Sequence, residues 1–545
     1  MPIENVFGWS MITVDYKKNE KYWNQLSDYV ESNFNYGLIT DPDLLQDTYK
    51  KLFNLLSDKF NELIDQQELA SFFIYVHNFH ENSIELWSKQ LKGETLTINE
   101  SEFVVVRRVL KIILEQSCRN KLMNSINYVN EILEKKVEFQ EHIEELISIG
   151  YLAIMLSNNI VRSQLFPESL AFQNYDGKLR TIHFSPYRET FEFVCNDIPK
   201  HSDSVEIYNT LDLLKVVWKE QLGIDFNVIG GITEEQVKDF KYRGGVIKSE
   251  ELKKLIVDQF GYDKNLVDNI YEGLTVSKRN VLSFEDCILR SQDHRRHLYR
   301  PIVELNIEGS SYWILGLNKW RESFTSLSTN ALPFGICPIE WLTYDPIKKF
   351  NRQVEDSHDE ILETPAVDLL NEFGYLNDFK IKSLLTSSSS NINLNDLEIG
   401  DIDIAFLNIE EKKVYICECK HNRFKHDLSG MRNDYVKFKR KYENQLERKV
   451  RWVRTNLQAF LYHFENKLKV TIESKEEYNV NGVFIINAPT IYMYNTQYLT
   501  FTLHSFEEFL AKSYVNYQFN YQNKAGENFA ILNPLFDNCK IIPKE

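Results

Sequence analysis

Leu, Ile and Phe recur at steps of three and four through DLLQDTYKKLFNLLSDKFNELIDQQELASFFIYVHNF and again through SEFVVVRRVLKIILEQSCRNKLMNSINYVNEILEKKVEFQEHIEELISIGYLAIML. That spacing lines apolar side chains along one face of a helix, so it predicts a helical N-terminal domain over residues 1–170. No period of the length used by repeat proteins stands out.

Beyond residue 170 the pattern shortens. LRTIHFSPYRETFEFVCNDI reads as a pair of strands and LDLLKVVWKEQL as a helix, and ITEEQVKDFKYRG, SEELKKLIVDQFG and NLVDNIYEGL read as short helices stopped by glycine. YRPIVELNIEGSSYWILGL alternates about Glu308 and Gly309, the mark of a hairpin. These elements predict a mixed α+β middle domain over 171–350. Within it QDHRRHLYR carries His294 and His297 without a companion Cys or His cluster, which reads as a basic loop rather than a zinc site.

NRQVEDSHDE, residues 351–360, is polar and aperiodic and reads as a linker. After it the pattern gives a helix over 361–373, a strand near 379–385, strands over 401–408 and 413–418, and a long helical stretch over 433–464. VNGVFIIN then reads as a strand buried on both faces, LTFTL as a further strand, and Ser505 with Glu508 as a capping box for EEFLAKSYVNYQF. The chain is thus expected to be multidomain, with residues 360–545 forming an α/β domain around a mixed central sheet.

Composition narrows the class. The 545 residues are 43% hydrophobic and 26% charged, an ordinary globular balance, and the net charge of -16 disfavours a surface coated for nucleic acid. The average conceals a local field: residues 412–454 hold 14 Lys or Arg against 5 Asp or Glu. Seven cysteines at scattered positions, with no CxxC pair, fit a reducing compartment. The start lacks the layout of a signal peptide, and ISIGYLAIML falls short of a membrane span, so the expectation is a cytoplasmic protein without a membrane partner.

The chemistry concentrates in GDIDIAFLNIEEKKVYICECK, residues 400–420. Alternate residues of a strand share a face, which groups Asp401 with Asp403 and Glu418 with Lys420, and turns Cys417 and Cys419 to the core. The IEEKK turn folds one strand back beside the other, so two or three carboxylates and an amine would crowd one end of a sheet. Mg2+ is a hard cation that takes one or two protein carboxylates plus water and phosphate, and Asp403 and Glu418 could supply them. Lys420 could then position or help deprotonate an attacking water and offset developing charge. Strand-end Asp, Glu and Lys facing solvent are the competing reading.

GDID followed by YICECK resembles the core of the PD-(D/E)XK nuclease superfamily, the restriction-endonuclease-like fold. The resemblance covers about residues 360–515. It implies that Asp403 and Glu418 hold the metal, Mg2+ with Mn2+ as a substitute, and that Lys420 is catalytic. Family members often carry a Glu on the preceding helix and a Gln on the following one, which ILETPAVDLLNEFGY supplies as Glu363 and NQLERKVRWV as Gln445. Pro365 then sits where a first-turn proline is tolerated. A helix-start acid and a solvated helix position are the alternatives for these two. No Pro precedes the Asp, a departure from the usual pattern.

The segment after Lys420 interleaves basic and aromatic residues, as on a groove that neutralises phosphates and stacks bases. Arg423, Lys425, Lys441 and Lys449 are its candidate nucleic-acid contacts. No GxxxxGK[ST] is present, so a built-in P-loop motor is not expected. The expectation is therefore a metal-dependent endonuclease that acts on DNA ahead of RNA, with defence against foreign DNA as a role by association. A protein partner or a second copy remains open. The alternative is a non-catalytic nucleic-acid-binding or scaffold protein on the same fold.

Overall fold

The computed structural model describes residues 3–34, 37–125, 127–166, 169–175, 178–184, 209–238, 244–385, 391–494, 497–514, 518–522, 525–532 and 540–544, with 192, 194, 195 and 198. Two compact units emerge: residues 1–183 with 207–354, and residues 184–206 with 355–545.

In the first unit the helical periodicity becomes long helices at Tyr16–Asn33, Pro42–Asp65, Ala70–Leu91, Glu100–Ser117 and Lys136–Leu165. Their starts follow local chemistry. Asp15, Asp41 and Asn99 accept backbone N–H groups of the first turn, and Pro42 takes the position where its missing N–H costs nothing. The hairpin Ile302–Ile307 and Ser310–Gly316 turns through Glu308 and Gly309, both at positive φ, as a two-residue type I′ turn requires. It lies in a five-stranded sheet with Lys121–Leu122, Thr275–Val276 and Gly244–Lys248.

The division expected at residue 170 is absent. Leu52, Phe53 and Phe60 of the helical region share one core with Phe284, Val303 and Leu305, and the Phe60 and Phe284 rings stack at 4.2 Å. Neither region covers its apolar face alone, so the two fold as one body. Ile147 to Leu156 also proves to be part of a longer element. The helix Lys136–Leu165 has 30 residues and is long and apolar enough to cross a membrane, yet 72% of its most apolar window is buried inside the protein.

Helix α1 (Asp345–Glu372), which belongs to the second unit from residue 355 on, precedes strands β1 (Leu376–Ile381), β2 (Ile402–Asn408) and β3 (Lys413–Lys420). Helices α2 (Leu428–Lys437), α3 (Glu443–Thr455) and α4 (Leu457–Leu468) follow, then strands β4 (Asn479–Ile486) and β5 (Leu499–Phe501) and helix α5 (Leu503–Leu510). The sheet order is β1-β2-β3-β4-β5. The first three strands pair antiparallel and the last two join in parallel, so the sheet is mixed as expected.

Alternation sorts the faces. Ile404, Phe406, Cys417, Cys419, Val483 and Ile485 form one core with Leu362, Ala366 and Leu370 of α1 and Phe506 of α5. The opposite face receives α3. There a Cβ on Gly482 would lie 2.9 Å from Leu446 Cγ, Val450 Cγ2 and Tyr498 Cε1, so glycine is what lets α3 approach the sheet.

Three local expectations are corrected. Residues 351–360 are helical and lie inside α1, whose aperiodic polar stretch needs no apolar stripe because the helix continues on both sides. Pro365 accordingly sits in the helix interior rather than its first turn. Thr502, not Ser505, caps α5 by accepting the Ser505 N–H, and the helix ends at Leu510, after which Gln518–Gln522 opens a three-stranded antiparallel sheet with Asn528–Leu532 and Lys540–Lys544.

Candidate active site

The β2–β3 register pairs Ile404 with Cys417, and one step further places Asp403 opposite Glu418. Asp403 lies at the start of β2, where the ladder is ending. There its Oδ2 accepts the Cys419 backbone N–H at 2.7 Å. Both acids point to the face that receives α3, and Cys417 and Cys419 turn into the other core, as strand parity predicts.

Two lysines meet the acids. Lys420 Nζ donates to Glu418 Oε1 at 2.6 Å. Lys449 Nζ, from α3, lies 3.1 Å from Asp403 Oδ1 and also bonds Glu418 Oε2. The lysines differ in access: 20% of the Lys420 side chain is exposed against 7% of that of Lys449. Lys420 therefore looks toward solvent and Lys449 is enclosed with the acids.

This crowding sets the protonation states. Burial and the facing Glu418 charge raise the Asp403 carboxyl above its usual range. Burial pushes Glu418 the same way, but Lys449 and Lys420 outweigh it and hold Glu418 below its usual range. Burial opposes the charge on both lysines, yet the two carboxylates win and both ammoniums are held protonated. Lys420 is thus a cation at neutral pH rather than a resident base.

Between α2 and α3 the chain winds one π-helical turn, Phe438–Tyr442, of the kind that often marks functional sites. It delivers the Tyr442 ring to Lys420, with the ammonium 5.0 Å from the ring centre, and Lys437 and Lys441 approach the same ring at 5.2 and 5.9 Å. Phe438 stacks on Tyr492, whose hydroxyl donates to Glu443 at 2.6 Å, so the start of α3 is fixed from below. At the far side of the sheet Asp378 of β1 accepts from His463 Nε2 at 2.9 Å, while the Leu385 N–H donates to His463 Nδ1. That pair fixes the imidazole tautomer and ties α4 to the sheet.

The remaining expected residues are placed as follows. Glu363 is buried on α1, 3.9 Å from Lys380, and its charge joins that of Asp403 in raising the Cys419 thiol, after burial itself. Gln445 is half-buried one turn before Lys449, and its Oε1 is buried without a hydrogen-bond partner among the described residues. Asp401 is partly exposed, 3.8 Å from Lys382.

Of the expected phosphate contacts, Lys441 is exposed, Arg423 is half-buried, and half-buried Lys425 pairs with Asp434 at 3.7 Å. Lys449 is buried, and its ammonium is engaged by Asp403 and Glu418. Its sequence signal was legible. Leu446, Lys449, Val450 and Val453 form one buried stripe of α3, and a lysine in such a stripe needs an anionic partner.

Among the described residues no group of three or more His, Cys, Asp or Glu gathers as a cation cage. Asp403 and Glu418 make a two-carboxylate site, a donor set suited to a hard, hydrated divalent ion. No protein-family model matches the chain, and no curated protein or solved structure matches it either.

Proposed function

We propose that residues 355–545 form a divalent-metal-dependent nuclease acting on DNA ahead of RNA, with Asp403 and Glu418 as the metal-holding pair and Lys420 as the catalytic cation. The observation that carries this reading is the pairing of two buried carboxylates across β2 and β3 with a charged, partly exposed lysine 2.6 Å from one of them. A bound Mg2+ would supply a polarised water and neutralise phosphate charge. The chain's own part is to hold that charge in a half-dry site and to present the Lys420 ammonium where negative charge grows during attack on a phosphodiester. Lys437 and Lys441, gathered round Tyr442, extend the positive surface along which a phosphate backbone would lie.

The resemblance of GDID and YICECK to the PD-(D/E)XK nucleases supports the same reading, and the mixed order of the sheet agrees with it. A second reading, a non-catalytic nucleic-acid binder, draws on Lys449: a lysine already bridging both acids makes a self-sufficient ion cluster. Cleavage assays on circular and linear DNA and on RNA, with Mg2+ or Mn2+ and with Lys420→Ala alongside, separate the two. Cleavage that disappears in Lys420→Ala supports the nuclease. Binding without cleavage by either protein supports the alternative.

A further inference from the structure

Lys420 is the last residue of β3, and its backbone is fixed from two sides. Its carbonyl accepts the Asn422 N–H at 2.9 Å and the Asn487 N–H at 3.3 Å, and the register pairs it with Ile486 of β4. The side chain beyond is a long flexible stem, and its ammonium has one hydrogen bond, to Glu418 Oε1 at 2.6 Å. A single bond of this kind sets a distance to one oxygen but not the direction from which the ammonium approaches.

The second contact is the Tyr442 ring, whose centre lies 5.0 Å from Lys420 Nζ. That ring is braced from behind. In the π-helical turn the Glu443 N–H reaches back to the Phe438 carbonyl, and the buried Phe438 ring meets Tyr442 edge-on with centres 5.0 Å apart. Phe438 is in turn set edge-on to Phe484 at 5.4 Å, and Phe484 is the β4 residue paired with Glu418. A chain of rings therefore ties Tyr442 to the same sheet position that carries the acid.

Two features give this contact a use beyond packing. Lys437 and Lys441, both exposed, approach the same ring at 5.2 and 5.9 Å, and neither makes a hydrogen bond or ion pair among the described residues. Three like charges collect there because the aromatic face is the negative pole of the ring quadrupole. The other feature concerns the acid. On the nuclease reading a divalent ion and Lys420 would draw on the same Glu418 carboxylate, whereas a hard cation takes oxygen ligands and leaves a ring face alone. The Tyr442 contact is the one that metal entry would not weaken.

We propose that Tyr442 is a positioning residue for the reaction: its ring face holds the Lys420 ammonium in place beside Glu418 when a divalent ion occupies the acids. The inference rests on the nuclease reading above and adds to it a residue outside the acid–lysine motif. The ring performs this role and the hydroxyl does not.

The test uses the full chain and compares wild type, Tyr442→Phe, Tyr442→Leu, Lys420→Ala and the Tyr442→Leu/Lys420→Ala pair, with thermal melts on each. At saturating Mg2+, Tyr442→Leu should lower the maximal single-turnover cleavage rate by about tenfold while the half-saturating DNA concentration changes little, and Tyr442→Phe should restore most of the rate. In the Lys420→Ala background Tyr442→Leu should add no further loss, because its effect passes through that lysine. Equal loss in the Phe and Leu variants, a loss confined to DNA affinity, or a full additional loss in the Lys420→Ala background overturns the proposal. NMR of protein labelled with 13C in its lysine side chains reads the contact without cleavage. The Lys420 Cε signal, identified by its disappearance in Lys420→Arg, should carry a ring-current shift that persists in Tyr442→Phe and vanishes in Tyr442→Leu. Cleavage by the wild type with a Lys420 signal that ignores Tyr442→Leu overturns the positioning role alone. A ring-dependent signal in a wild type that cleaves neither DNA nor RNA overturns the nuclease reading, and the role with it.

Discussion

Lys449 Nζ lies 3.1 Å from Asp403 Oδ1, and the same ammonium bonds Glu418, so one cation from α3 occupies the space between two acids from different strands. A divalent ion held by Asp403 and Glu418 would need that position or one beside it. Lys449 therefore acts in this arrangement as an internal counter-ion, and on the proposed metal reading an entering ion would have to compete with its ion pairs. The Lys449 ammonium offsets the repulsion that two bare carboxylates would otherwise suffer.

Lys420→Ala should lower the rate of DNA cleavage by about 10²–10³-fold while shifting the Tm little, since the side chain is partly solvated. Lys420→Arg should recover only part of the rate, because a guanidinium keeps the charge but not the compact geometry. Cleavage kinetics on plasmid DNA with matched thermal melts reads this. Equal rates for wild type and Lys420→Ala would remove Lys420 from the chemistry.

Asp403→Asn and Glu418→Gln should each abolish metal-dependent cleavage by removing a charged oxygen ligand, and each should also reduce the rise in Tm that Mg2+ produces in the wild type. Asp401→Asn should have little effect on either, because Asp401 is partly exposed and pairs only with Lys382 among its recorded ion pairs. Calorimetric Mg2+ titration distinguishes the ligand pair from its neighbour.

Much of this arrangement was readable along the chain, because strand alternation is a short-range rule. It grouped Asp401 with Asp403 and Glu418 with Lys420, and sent Cys417 and Cys419 to the core, where they are found. Register then needed only the IEEKK turn. What could not be read depends on distant packing. Lys449 joins the acids because α3 docks on the face where Gly482 leaves room, and nothing local to Lys449 states which strand it will meet. Residues 351–360 looked like a linker because their polar, aperiodic sequence carries no apolar stripe, although they are helical. QDHRRHLYR looked solvated because its partners Glu115 and Glu340 lie far away in sequence.

Gly482→Ala should destabilise the protein by about 1–3 kcal/mol, the usual cost of overpacking, since the new methyl meets Leu446, Val450 and Tyr498 at 2.9 Å. The displacement falls on α3, which carries Lys449 and Gln445, so cleavage should fall even at temperatures where the variant remains folded. Urea unfolding together with cleavage rates checks the two effects separately.

Asp378 gives a pH-dependent prediction. Burial raises its carboxyl, but hydrogen bonds from His463 and Lys467 outweigh burial and leave it below its usual range. A depressed carboxyl contributes stability above its unfolded value of about 4, and that stability is lost as pH falls through the lower folded value. Asp378→Asn should therefore be clearly less stable than wild type at pH 7, with a smaller gap at about pH 3, below the unfolded value. Urea midpoints of both proteins at the two pH values decide it, and a gap independent of pH would assign the loss to packing.

Lys449→Met tests whether the ammonium and a divalent ion are alternatives. The substitution keeps the length of the side chain and its place in the apolar stripe of α3, but it leaves Asp403 and Glu418 facing each other with Lys420 as the remaining cation. Breaking a buried ion pair from one side costs about 3–5 kcal/mol, so the metal-free variant should melt well below wild type. Mg2+ would restore the missing positive charge between the acids without having to displace a lysine. The variant should therefore bind Mg2+ more tightly than wild type and recover more of its Tm on adding the ion. If Lys449 is a counter-ion alone, cleavage at saturating Mg2+ should survive the change. If cleavage is lost while Mg2+ still restores the Tm, Lys449 has a direct part in the reaction. A Tm that Mg2+ leaves unchanged in both proteins would remove Asp403 and Glu418 as a metal pair and favour the binding-protein reading.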